Sequence, residues 1–94
     1  FDTFCPLGPW VETEFVPDGQ VIESRINGEV RQNVAISEMV HKIPAIISYV
    51  SGNMSLLPGD IILTGSPAGI SAITSGDIIE CEVEGIGILS NPVA

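Results

Sequence analysis

Two stretches rich in valine and isoleucine, residues 21–26 and 29–34, flank the dipeptide Asn27-Gly28. A two-residue loop of that composition supplies the positive φ that both central positions of a type I′ turn require, so the segment is expected to form a β-hairpin. Glu23, Ser24, Arg25, Arg31 and Gln32 interrupt the apolar positions on both sides, which leaves one face wet or lining a cleft. Met39, Val40, Ile43, Ile46, Ile47 and Val50 then recur at helical spacing behind Ser37, a residue able to cap a first turn. Pro44 falls inside that pattern, where its missing donor and its ring force the helix to kink or restart. Ser51-Gly52-Asn53 ends it.

Beyond the helix the period shortens again. Leu56-Leu57-Pro58-Gly59-Asp60 reads as a turn, Ile61–Thr64 as a short buried strand, and Gly65-Ser66-Pro67-Ala68-Gly69 as the bend where that strand ends. Ser75-Gly76-Asp77 repeats the turn chemistry ahead of a strand over Ile78–Glu84, and Gly85-Ile86-Gly87 permits a bend before a last strand over Ile88–Val93. The repeat Pro-Gly-Asp-Ile-Ile and Ser-Gly-Asp-Ile-Ile is too short for a solenoid and reads as one turn used twice. Residues 1–17, punctuated by Pro6, Pro9 and Pro17, are expected to be irregular or to border a sheet. The sum is a β-rich α+β chain with one helix and an antiparallel or mixed sheet.

Composition narrows the function classes. The 94 residues are 45% hydrophobic, enough for one globular core and too apolar for disorder. Three Lys and Arg against twelve Asp and Glu give a net charge of −9, which repels a phosphate backbone, so no nucleic-acid partner is expected. No apolar run approaches the ~20 residues of a membrane span, and no charged-then-apolar leader opens the chain, so no membrane partner and a cytoplasmic location are expected. Cys5 and Cys81 are too few for a disulfide framework and are expected to be buried small hydrophobes. Phe1-Asp2-Thr3-Phe4 resembles the inside of a folded segment more than a loose terminus, which suggests a piece of a longer protein.

One loop offers chemistry. Thr64-Gly65-Ser66-Pro67-Ala68-Gly69 gathers two hydroxyls and several unencumbered amides, which can surround a carboxylate or a developing oxyanion. A strand-exit turn that uses Gly and Pro for geometry alone is the commoner reading of such a stretch. It is neither a P-loop, having no Lys after it, nor a Gly-x-Ser-x-Gly elbow, having Thr64 in the first glycine's place. Glu80, Glu82 and Glu84 project from one face of their strand and could hold a hard cation, although a solvated sheet face is the simpler account. His41, the one histidine, falls on the expected helix with no partner evident, and Gln32 suits either a polar substrate or a cross-strand hydrogen bond.

Several blocks, in order and with natural spacing, resemble the C-terminal part of the fumarylacetoacetate hydrolase family. They are Phe1-Asp2-Thr3-Phe4-Cys5-Pro6-Leu7-Gly8-Pro9-Trp10, Asn27-Gly28-Glu29 with Arg31-Gln32, Pro58–Ile62 followed by Thr64–Gly69, and Gly76-Asp77 with Glu82–Gly87. The resemblance covers residues 1–94 and implies a mixed β-roll belonging to a C-terminal fragment of the catalytic domain. It also implies chemistry on C–C bonds of 2-oxo or β-diketo acids, as an acylpyruvate-type hydrolase or a dienoate isomerase or decarboxylase, in homodimers. A divalent cation, Mg²⁺ or else Mn²⁺ or Ca²⁺, polarises the enolate oxygens in such enzymes. The family's Glu-x-Glu pair, its later Asp, its catalytic Lys and its lid His and Glu all lie upstream of the Phe1 block. No catalytic residue and no metal ligand is therefore assigned here, Glu80, Glu82 and Glu84 included, and the fragment alone is expected to be inactive. One contact carries over: the family's Thr-Gly-Thr-Pro-x-Gly loop places its carboxylate-binding second threonine at Ser66. Substrate binding is accordingly expected of Ser66, helped by Gly65 and Thr64, with the lost methyl giving a freer rotor. The alternative is a non-catalytic binding or assembly module that retains the β scaffold.

Overall fold

The structure, a computed structural model, describes residues 2–94, so Phe1 of the first block lies outside it. Strands β1 (Val21–Ile26) and β2 (Glu29–Ala35) form the expected hairpin. Asn27 and Gly28 occupy its two turn positions at φ 52° and 80°. After a 3₁₀ turn over Ile36–Glu38, helix α1 spans Ile43–Asn53. Strands β3 (Ile78–Val83) and β4 (Gly87–Pro92) complete an antiparallel sheet in the order β2-β1-β3-β4. The chain is β-rich α+β, as the pattern implied.

Pro44 decides where the helix starts. It stands in the first turn of α1, where the absent N–H would have had no partner, so the periodic stretch divides at that point. Only Ile36–Glu38 turns before it, and His41, expected on the helix, lies in the bend ahead of α1. Ile43, Ile46 and Val50 are the half-buried side of α1, while Tyr49 on the other side is 75% exposed.

The repeated turn is indeed used twice. Asp60 Oδ2 accepts from the Leu57 amide at 2.7 Å, and Asp77 Oδ2 from the Thr74 amide at 2.8 Å, with Gly59 and Gly76 at φ 96° and 92°. The second copy is stitched to the hairpin: Asn27 Nδ2 donates to Asp77 Oδ1 at 2.8 Å, and the Ile78 amide donates to Asn27 Oδ1 at 2.9 Å. The hydrogen bond from the Thr74 amide, followed by that from Asn27, holds the Asp77 carboxyl below its ordinary range. Among the described residues the first copy has no such anchor, and Ile61–Thr64 is not a buried strand. It joins no ladder, lying on neither edge of the sheet formed by β2-β1-β3-β4, and Ile61 and Leu63 stand 55% and 79% exposed.

The expectation of a self-sufficient core also fails. Among the described residues only Ile36 is buried. The chain exposes 7219 Å², against roughly 5,200 Å² for a compact monomer of this mass. Its radius of gyration is 14.5 Å, where roughly 12.4 Å is usual for this length. A single four-stranded layer with one short helix cannot enclose its own apolar side chains. The cysteines follow suit: both are exposed, Cys5 in the irregular segment and Cys81 on an open stretch of β3.

Candidate functional site

Pairing register sorts the sheet into two faces. Ile22 lies opposite Val83, Ser24 opposite Cys81 and Ile26 opposite Ile79, while across the hairpin Ile22 meets Val34 and Ser24 meets Gln32. These residues share one face. Glu23, Arg25, Glu80 and Glu82 alternate with them and share the other.

The loop Thr64–Gly69 lies on the first face, and its seat there has a physical origin. The β1–β2 register shifts between Ser24, opposite Gln32, and Arg25, opposite Val30, so Arg31 is an extra residue with no opposite number. Such a bulge re-aims backbone groups. The Arg31 carbonyl meets Gly69 so closely that a β-carbon on Gly69 would stand 2.0 Å from its oxygen. Gly69 also holds φ 105°, so this position demands glycine twice over. Gln32 completes the seat. Its Nε2 donates to the Pro67 carbonyl at 3.0 Å, and its Oε1 accepts from Ser24 Oγ at 3.0 Å. The cross-strand role expected of Gln32 is therefore met, together with a second contact, to the loop, that the sequence did not disclose.

Ser66 stands between two clefts. One, of about 320 Å³, is bounded by Ile22, Val34, Met39, His41, Ile46 and the Thr64–Pro67 segment. The other, of about 260 Å³, is bounded by Ser24, Gln32, Ser66, Gly69, Ile79 and Cys81. Thr64, Gly65 and Ser66 are exposed, Gly65 at φ 92°. The arrangement gives a small polar ligand two hydroxyls and a Gly-bearing backbone at the mouth of a mainly apolar cleft. His41 joins this rim although its chain position offered no partner; Pro44, by fixing the helix start, was the available clue that residue 41 would precede it.

The opposite face is chemically occupied by its own charges. Arg25 Nη2 donates to Glu82 Oε2 at 2.8 Å and Nε to Glu80 Oε2 at 3.4 Å, and Nη1 pairs with Glu23. Asn33 Nδ2 donates to Glu23 Oε2 at 2.6 Å. Glu82 foremost, then Glu23, raises the Arg25 pKa, and the bonds from Asn33 and then Arg25 lower that of Glu23. Glu80 and Glu82 are thus ion-paired rather than simply solvated. Glu84 lies just beyond β3, where its Oε2 accepts from the Val21 amide at 3.2 Å. A divalent cation finds no ligand set here: no group of three or more His, Cys, Asp or Glu among the described residues is placed to hold one.

Among solved structures the chain is similar to the 5-carboxymethyl-2-hydroxymuconate delta-isomerase of Mycobacterium smegmatis. The TM-score is 0.96 at 47% identity, over 100% of this chain and 38% of that one. It is also similar to the maleylpyruvate hydrolase of a Sphingobium species, solved with manganese(II) and pyruvate. There the TM-score is 0.92 at 35% identity, over 100% of this chain and 37% of the other. Among curated proteins, Rv2993c of Mycobacterium tuberculosis is 50% identical across 98% of this chain. The chain spans 36% of that relative's length. The model of the fumarylacetoacetate (FAA) hydrolase C-terminal family matches residues 1–94, and with it the chain belongs to that family.

Proposed function

We propose that this chain is the C-terminal part of a metal-dependent enzyme acting on C–C bonds of 2-oxo or β-diketo acids, as an acylpyruvate-type hydrolase or a dienoate isomerase or decarboxylase. Within it the Thr64–Ser66 loop binds the substrate carboxylate. The observation that carries this is the place of Ser66, exposed at the junction of two clefts on the sheet face opposite the Arg25 ion-pair cluster. Relatives that are an isomerase and a hydrolase, the latter holding pyruvate, support a small oxo acid as substrate. In this reading the Ser66 hydroxyl and the amides around Gly65 orient the carboxylate, and the apolar wall of Ile22, Val34 and Ile46 shields the carbon chain from water. The cation, Mg²⁺ or a similar divalent ion, is held by residues outside this chain. The large exposed apolar surface is covered by the remainder of the enzyme and by a second copy in a cytoplasmic homodimer.

The test is Ser66→Ala in the full-length protein, assayed with acetylpyruvate and Mg²⁺. Loss of a hydrogen bond to a charged group lowers kcat/KM by about 1.5–3 kcal/mol. An unchanged value removes Ser66 from the site. The isolated 94 residues are expected to show no turnover.

A further inference from the structure

We propose that Gln32 is the positioning residue of the substrate loop. It clamps the segment that carries Ser66 onto the sheet and sets where the hydroxyl and amides stand. The inference rests on the reading of Ser66 given above and goes beyond it by naming what fixes the loop.

The argument starts from the lack of other attachments. Thr64–Gly69 belongs to no strand or helix, and the preceding Ile61–Thr64 joins no ladder. A segment so held drifts unless side chains fix it. Among the described residues the one side-chain hydrogen bond reaching it is Gln32 Nε2 to the Pro67 carbonyl, at 3.0 Å, on the residue adjoining Ser66. The far end of the same amide is anchored, since Ser24 Oγ donates to Gln32 Oε1 at 3.0 Å from β1 next door. The amide therefore has both ends engaged and one orientation, donor toward the loop and acceptor toward β1. Gly69 against the bulged Arg31 supplies the second point of the seat, two residues beyond Pro67. Two fixed points, one on each side of Ala68, hold the bend that directly follows Ser66 and so fix where Ser66 leaves it.

Carbonyl recognition by an N–H gives this clamp a signature that simple packing lacks. Gln32→Glu presents a carboxylate to the Pro67 oxygen and repels it, whereas a protonated glutamic acid restores a donor of nearly the same length. Gln32→Met keeps the bulk and has no donor at any pH.

The experiment uses the full-length protein and two readouts, amide hydrogen exchange across residues 64–71 and the affinity for pyruvate with Mg²⁺. At neutral pH both variants are expected to exchange about tenfold faster in that segment, with β1 and β3 unchanged. Pyruvate affinity is expected to fall roughly three- to tenfold. Relative to wild type at each pH, Gln32→Glu recovers both readouts as the pH falls from about 7 to about 4, through the ordinary glutamate value of about 4.3, while Gln32→Met does not. Wild-type exchange in both variants overturns the clamp. Weaker affinity with unchanged exchange also overturns it, by making Gln32 a direct ligand contact. Loss without recovery in Gln32→Glu reduces Gln32 to packing. If Ser66→Ala weakens pyruvate binding and the Gln32 variants do not, this inference alone fails; if Ser66→Ala is itself silent, the reading of the loop fails first.

Discussion

The two faces of one small sheet both carry polar residues and use them differently. On one face Glu23, Glu80 and Glu82 converge on Arg25, so charge satisfies charge and little is left to offer a ligand. On the other, Ser24 and Gln32 spend their hydrogen bonds on each other and on the Pro67 carbonyl, while Thr64 and Ser66 stay exposed beside the clefts. The difference teaches that polarity alone does not mark a site. Three alternating glutamates are the more conspicuous sequence feature, yet two of them are absorbed structurally, and the quieter hydroxyl loop holds the open position.

The sharpest way to break that contrast is Gly69→Ala. The added carbon collides with the Arg31 carbonyl oxygen at 2.0 Å, and the residue is held at φ 105°. Both effects together cost about 2–4 kcal/mol. A lower urea midpoint and a loss of acetylpyruvate turnover larger than that of Ser66→Ala are expected in the full-length enzyme.

Glu82→Gln probes the occupied face. It removes the principal partner of Arg25, so the thermal midpoint drops slightly at neutral pH. KM for acetylpyruvate stays at the wild-type value, since Glu82 faces away from both clefts. A rise in KM would show that the faces are not independent.

The smallest effect concerns Asp77, which ties the turn before β3 to the hairpin. Its carboxyl is held below the ordinary value of 3.8. The stabilisation is therefore complete above that value and is lost as the pH falls through the lower folded-state value. Asp77→Asn is expected to melt slightly earlier near neutrality, with the difference shrinking as the pH falls below 3.8 and vanishing only below the lower folded-state value. A difference that persisted in acid would assign the role to shape rather than charge.

How far the sequence could be read follows from which interactions are local. Asn27-Gly28 states its own turn, and both Gly-Asp turns are closed by an Asp three residues from its partner amide, so these were legible. The same two turns show where legibility ends. Ile78-Ile79 becomes a strand because β1 and β4 flank it, whereas Ile61-Ile62, equally apolar, has no neighbour and does not. Partnership is a long-range property, and neither dipeptide contains it. Cys81 was misjudged for the same reason, its exposure depending on what lies over β3 rather than on its own chemistry. Ser66 was singled out through family resemblance, while the hydrogen bond between Gln32 and Pro67, 35 positions apart, has no local signal.

The most direct test of the central claim is a crystal structure of the full-length protein with pyruvate and Mg²⁺. The account places the pyruvate carboxylate within hydrogen-bonding distance of the Ser66 hydroxyl, roughly 2.5–3.0 Å, at the junction of the two clefts. Pyruvate bound elsewhere, with Thr64–Ser66 facing solvent or another part of the protein, would contradict it.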